Sequence, residues 1–591
     1  MTSSVSPRPS GDDPPPTTAG GASSASFILS GCHVLSLNPQ RDEYASGYVA
    51  VDGTQITEAG PGPVPERLAG ARQIDASGCL ATPGLVNTHH HLYQWATRGR
   101  AVDATLFGWL TELYPVWARI DAEIVRAAST AALTWLARSG CTTTMDHHYV
   151  FPRAGGDVLG ATVESAAEVG LRFHPTRGSM DLGESTGGLP PDDVVEHIDA
   201  VIGATQAAIE RFHDPSPGSM LRIGVAPCSP FSVTRELLTE SAALARSSGV
   251  RLHTHLAETA DEDDYCAEQL GCTPAEYLDS LGWLGGDVWL AHCVHLDDAG
   301  IARLAATGTG VAHCPDSNAR LGAGICRTRA LLDAGVPVGL GVDGAASNEA
   351  SSLLGEVSAA ARFARAVGGP QAMTAAEALE LGTLGGARLL GREAEIGSLE
   401  AGKLADIALW RLDRLPQAGI ADPVAALVLG PPPPLELLLV NGQVVVERDR
   451  VVTVDEQRVA ESARRAGEVL AVLARGDGVG LGGTTPPDPP ACHPLGPTVG
   501  RPSRLARPSA RIPPSAAIRS GRPLAGRRGW PGFAGFSPRL TPAGPGPSRP
   551  VLRAGLPQRS PAGPGCASTR PRRRRRSTRP AARKPGPAAP R

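Results

Sequence analysis

Eight apolar runs, most followed by a stretch rich in Ala, Leu, Glu and Arg, predict an α/β protein built on a (β/α)8 TIM barrel. Two further observations support the barrel. His89, His91, His255, Glu258, His292 and Asp343 all fall at or just beyond the C-terminal ends of these runs, the face on which barrel strands converge. Short strand-like segments also flank the barrel region on both sides, predicting a small β-sandwich domain assembled from the two flanks.

Residues 1–25 are rich in Ser, Pro, Gly and Thr and are expected to be disordered. Residues 26–80 carry strands broken by turn signals, such as Tyr48-Val49-Ala50-Val51 before Asp52-Gly53, and form the first part of the small domain. The barrel spans 81–390. Its strand candidates are Leu80 to Asn87, Thr142 to Asp146, Leu171 to Thr176, Leu221 to Ala226, Arg251 to His255, Val288 to Ala291, Gly310 to Cys314 and Val336 to Val342. Helices over Ala122 to Ser139 and Arg235 to Ser248 each end near a glycine. A doubly wound open sheet is disfavoured, because strands one, five, six and eight would not share one site there. Residues 391–475 complete the small domain, with Asn441-Gly442 as a hairpin turn between apolar strands, and add a terminal helix.

Residues 476–591 change to Pro, Gly, Arg and Ala without periodicity, and cannot bury enough apolar area to fold. The segment reads as a disordered extension or an out-of-frame translation of GC-rich DNA; the alternative is an arm for nucleic acid or an acidic partner. The formal charge of −3 hides this division. Residues 491–591 hold 22 of the 56 Lys and Arg and none of the 59 Asp and Glu, leaving the preceding part at −25. So acidic a body argues against nucleic acid as a partner of the folded part. Eleven scattered cysteines with no C-x-x-C pair fit reduced thiols. With neither a signal peptide nor a membrane-length apolar run, the expected location is the cytoplasm.

His89 and His91, at i and i+2, face the same side of a strand and reach one ion beyond its end, while His90 points away into packing. His253 and His255 repeat the spacing, with His255 the better ligand because Glu258, three residues on, can fold back over the ion. Asp343 is expected to ligate through one oxygen and accept a proton from water through the other; Gly344 is expected to leave room for substrate. Three His and one Asp make an inner sphere for one divalent ion, Zn²⁺ first and Fe²⁺ or Mn²⁺ as alternatives, with water completing it. Such an ion lowers the pKa of its water from about 16 to near 7.

From about Phe27 to Val452 the chain resembles the mononuclear aminohydrolases of the amidohydrolase superfamily. The strings that carry this are Pro83-Gly84-Leu85-Val86-Asn87-Thr88-His89, Ala291-His292-Cys293-Val294-His295-Leu296, Asn318-Ala319-Arg320-Leu321-Gly322 and Gly341-Val342-Asp343-Gly344-Ala345-Ala346-Ser347-Asn348. Binuclear relatives often bridge two metals with a carbamylated lysine, but the only lysines, Lys403 and Lys584, lie outside the barrel. The resemblance therefore implies a single ion. Leu92-Tyr93-Gln94-Trp95, Asp146-His147-His148-Tyr149 and Cys228-Ser229-Pro230-Phe231-Ser232 are most similar to the subgroup that deaminates 8-oxoguanine.

That resemblance implies hydrolytic deamination of 8-oxoguanine to urate and ammonia by metal-bound hydroxide. Asp343 would take the water proton and return it to the leaving amine, Glu258 would protonate the ring nitrogen, and His292 would align the attack. Gln94 would hold the substrate edge, since an amide donates and accepts side by side. Cys228 stands where guanine deaminases tend to carry arginine; it either makes room for the 8-oxo group or is a buried strand cysteine. His147, His148 and Arg177, at the ends of strands two and three, either contact substrate or brace loops. Trp109, Tyr114 and Trp117 either cover the site or belong to the core. Guanine, isocytosine or an s-triazine are alternative substrates, and a homo-oligomer is the common state of this branch. A non-catalytic scaffold would lack ligands, and none is missing.

Overall fold

The computed structural model describes residues 26–475. The segments expected to be disordered, 1–25 and 476–591, lie outside the described residues, as does the basic arm.

Eight parallel strands close into a barrel: Leu85–Asn87, Cys141–His148, Arg172–Ser179, Gly224–Pro227, Leu252–Leu256, Val288–His292, Gly310–His313 and Val338–Leu340. They are called strands one to eight below. Closure runs through Leu340 paired with Asn87 and Leu252 paired with Val225. Every strand residue is buried, as expected of parallel strands covered by crossover helices. Those helices carry the end signals their sequences announce. Ala122–Arg138 starts at Asp121, whose carboxylate accepts the Ile124 N–H, and Arg235–Ser248 ends at Gly249 in the left-handed region.

The run Leu80 to Asn87, expected as one strand, is two. Cys79–Pro83 pairs antiparallel with Ile407–Arg411 in the small domain, and Leu85–Asn87 enters the barrel. Gly84 makes the join: a Cβ there would lie 2.1 Å from Thr142 Cγ2, so only glycine lets the chain pass. The expected sandwich is one continuous nine-stranded sheet drawn from both flanks. It folds over its own core, where Leu29, Val34, Val49, Ile56, Leu409 and Leu439 pack together.

The terminal helix Glu456–Ala474 packs on Ala122–Arg138 and on the turn Leu92–Thr97 that follows the first histidine pair. Its Leu470 is fully buried in a cluster with Trp109, Tyr114 and Trp117 of the helix Leu106–Trp117. One buried leucine contributes ~2 kcal/mol, so the last helix helps fix the aromatic wall of the barrel mouth. Among the described residues no helix is long and apolar enough to cross a membrane, and nine described cysteines are free thiols.

Candidate metal centre

Three imidazoles are held in one tautomer by groups behind them. His91 Nδ1 donates to the carbonyl of His147 at 2.7 Å, and His255 Nδ1 to that of Cys228 at 2.6 Å. His253 Nδ1 donates to the Trp289 carbonyl, so His253 Nε2 accepts from His89 Nδ1, each at 2.9 Å. A carbonyl only accepts, so His91, His255 and His253 carry their protons on Nδ1; His253 Nε2 then accepts the His89 Nδ1 proton, which leaves the Nε2 lone pairs of His89, His91 and His255 free. His91 Nε2 and His255 Nε2 are 3.1 Å apart, and His89 Nε2 has no hydrogen-bond partner among the described residues. Two lone pairs at that distance repel unless a cation lies between them. Nitrogens each about 2.1 Å from one ion sit about this far apart.

Asp343 Oδ1 completes the set, 3.3 Å from His89 Nε2 and 3.2 Å from His91 Nε2. Burial pushes His89 and His255 well below the usual histidine range, which keeps them neutral and able to ligate. Burial alone would raise the Asp343 carboxyl, but its contacts with His89 and His91 hold it well below the usual carboxylate range. Three imidazole nitrogens and one carboxylate suit a divalent metal ion.

The strand ends that present these groups are bent. Ala257, His292, Cys293 and Asp343 all have φ between 50° and 70°, a region that costs a non-glycine residue about 1 kcal/mol or more. Glu262, fully buried, accepts the N–H groups of Ala257 at 2.8 Å and Glu258 at 3.0 Å and so holds the turn after strand five. Strain clustered at the carboxyl ends of strands marks a working site.

Beside the ligands, Glu258 Oε2 lies 3.6 Å from His292 Nε2. Burial first, and the charge of Asp343 second, push the Glu258 carboxyl well above its usual range, which favours its protonated form. These groups open into a small cavity of about 30 Å³ walled by Trp109, Tyr114, Phe231 and Leu321. Gln94 lines it, fully buried, with both amide atoms lacking a partner among the described residues. Gly344 serves Gln94 rather than substrate: a Cβ there would lie 1.8 Å from Gln94 Oε1. Cys228 also lines the cavity, as a neutral thiol that burial pushes up to about 12. Trp117 is in the core behind, its indole N–H donating to Thr97 Oγ1.

Two expected substrate contacts do not reach the cavity. Alternation along strand two turns His147 inward, stacked on His255 with centroids 4.8 Å apart, and turns His148 away to donate to the Val150 carbonyl. The Arg177 guanidinium is bound by both carboxylate oxygens of Glu196 at 2.7 Å and lies over the Phe151 ring, so it braces a loop. The proton path expected through the second oxygen of Asp343 also changes. Oδ2 accepts the hydroxyls of Ser317 at 2.6 Å and Ser347 at 3.0 Å, leaving Oδ1 to face the site.

A cluster of buried imidazoles and a carboxylate that could hold a metal ion, at the mouth of a closed parallel barrel and opening on a small cavity, fits a metal-dependent hydrolase. The amidohydrolase family profile matches residues 80–445, and the chain belongs to that family. It is 45% identical over 434 residues to the 8-oxoguanine deaminase of Pseudomonas aeruginosa, covering 73% of this chain and 93% of that one. Over 414 residues it is 40% identical to an isoxanthopterin deaminase from an unknown prokaryotic organism, with 66% and 86% covered. The zinc complex of atrazine chlorohydrolase from Arthrobacter aurescens TC1 superposes with a TM-score of 0.71 at 34% identity, covering 75% of this chain and 100% of that one.

Proposed function

We propose that the chain removes the exocyclic amine of 8-oxoguanine as ammonia, leaving urate, with one zinc ion per chain held by His89, His91, His255 and Asp343. The observation that carries this reading is the pairing of a buried Glu258, its carboxyl pushed well above the usual range by burial, with a Gln94 amide unpartnered among the described residues, across one small cavity. A cyclic amidine needs these two things: a donor for its ring nitrogen, and a group that reads a donor–acceptor edge. A bound divalent ion supplies a water that ionises near neutral pH. Asp343 would take a water proton at Oδ1, Glu258 would donate its own proton to the ring nitrogen, and His292, beside Glu258, would orient the attacking oxygen. Asp343 would then pass its proton to the departing amine, which leaves as ammonia while the new C–O–H gives its proton back to Glu258 and becomes the carbonyl.

The cavity narrows the substrate. Aromatic and aliphatic side chains face its few polar groups, and no Arg or Lys lines it among the described residues. A free aromatic base fits this description better than a nucleoside thioether or a phosphate ester. The identity to the Pseudomonas aeruginosa deaminase supports 8-oxoguanine, and the 40% relative favours a pteridine as the second reading. Ammonia release across 8-oxoguanine, guanine, isocytosine, isoxanthopterin and hydroxylated s-triazines tests this. The highest kcat/KM should fall on 8-oxoguanine; a higher value on any other ring replaces the assignment.

A further inference from the structure

The short helix Pro315–Arg320 after strand seven touches two reacting groups through consecutive residues. Ser317 donates its hydroxyl to Asp343 Oδ2 at 2.6 Å and Ser347 donates to the same Oδ2 at 3.0 Å, the two hydroxyl oxygens lying 3.0 Å apart. Asn318 Oδ1 lies 2.9 Å from His292 Nδ1, which places the His292 proton on Nδ1 and leaves Nε2 facing Glu258. Both side chains are buried, so water does not compete for either bond.

The helix is itself pinned at both ends. The Asp316 N–H donates to Glu356 Oε2 at 3.1 Å, and the Arg320 guanidinium holds the carbonyls of Arg100 and Ala101 and the Glu349 carboxylate at 3.0 to 3.1 Å. A positioning element has to be stiffer than what it positions, and this one is tied to the helix Leu353–Gly368 and to the segment leading into the cavity wall.

We infer that Pro315–Arg320 is the positioning element of the reaction. Ser317 turns Asp343 so that Oδ1, and not Oδ2, handles the proton, and Asn318 holds His292 in the tautomer that leaves Nε2 free for the reacting water. The inference rests on the aminohydrolase reading, but its test compares variants with wild type on whichever ring the wild type turns over, so the two can fail separately.

Asn318→Leu removes the acceptor at similar size, and Asn318→Asp keeps it. The first should lower kcat about 10- to 100-fold, the usual size for a group that orients an active residue, with KM within about twofold. The second should recover most of that loss. Ser317→Ala should lower kcat comparably and shift the visible absorption of the cobalt-substituted protein, because the Asp343 carboxylate is freed to rotate. Bound metal and melting temperature should stay near wild type in all three. Equal losses in Asn318→Leu and Asn318→Asp, or an unchanged cobalt spectrum and kcat in Ser317→Ala, would overturn the assignment. If Asn318→Leu does not fold, the other two variants still decide.

Discussion

Replacing Gly344 by alanine should disable Gln94 without touching it. The new Cβ would lie 1.8 Å from Gln94 Oε1 and 2.3 Å from its Cδ, both well inside contact distance. The Gly344 backbone is not in the left-handed region, so alanine adds no backbone strain. The amide, the far end of a flexible side chain, is what must move. Displacing it forfeits about two hydrogen bonds to the substrate edge, each worth ~0.5–1.5 kcal/mol. The sum of ~1–3 kcal/mol corresponds to a loss of roughly 5- to 150-fold in kcat/KM. Steady-state assays of 8-oxoguanine deamination on Gly344→Ala, Gln94→Ala and the double variant measure it, with bound metal checked in each. Because both changes remove one interaction, the double variant should be no worse than the poorer single one. Additive losses, or full activity in Gly344→Ala, would refute the reasoning.

Glu258→Gln should cost kcat about 10²-fold or more while metal content holds, since Glu258 is placed as a proton donor and not a ligand. In the wild type the donor is present below the raised Glu258 pKa and lost above it, so a kcat–pH profile should fall on the alkaline side, and that limb should vanish in the variant. His253→Phe keeps the stack on Trp289, whose ring centroid is 4.6 Å away, but removes the bond to His89; chelator competition should show metal binding weakened about 10- to 100-fold. Glu356 is pushed well above its usual range, chiefly by burial and next by the charge of Asp316. A raised folded-state pKa gives stability that is complete below the unfolded value and is lost as pH rises through the folded one. Melting temperature should therefore drop with rising pH less steeply in Glu356→Gln than in wild type; parallel curves would count against a protonated Glu356.

The ligand set was legible because strand periodicity is local: residues two apart face one side, so His89 with His91 could be read without knowing the fold. Gln94, three residues after His91, was within the same local reach. What sequence did not show was who stands behind each ligand. The bonds from His253 to His89, Asn318 to His292 and Ser317 to Asp343 span 164, 26 and 26 residues, and only barrel closure makes them neighbours. His148 and Arg177 were misplaced because a polar residue at a strand end says nothing of its direction; alternation from inward-facing His147 turns His148 away. Gly344, expected to leave room for substrate, makes room for Gln94 instead. Glu262 carried no signal at all, since a buried carboxylate that binds two backbone N–H groups looks, in sequence, like one more acid in Asp261-Glu262-Asp263-Asp264.

The most direct measurement is a zinc titration of metal-free protein, followed by ammonia released from 8-oxoguanine. Activity should rise linearly and stop at one equivalent per chain, with one ammonia released for each base consumed. A break at two equivalents, or ammonia release that survives complete removal of metal, would contradict a mononuclear site built from His89, His91, His255 and Asp343.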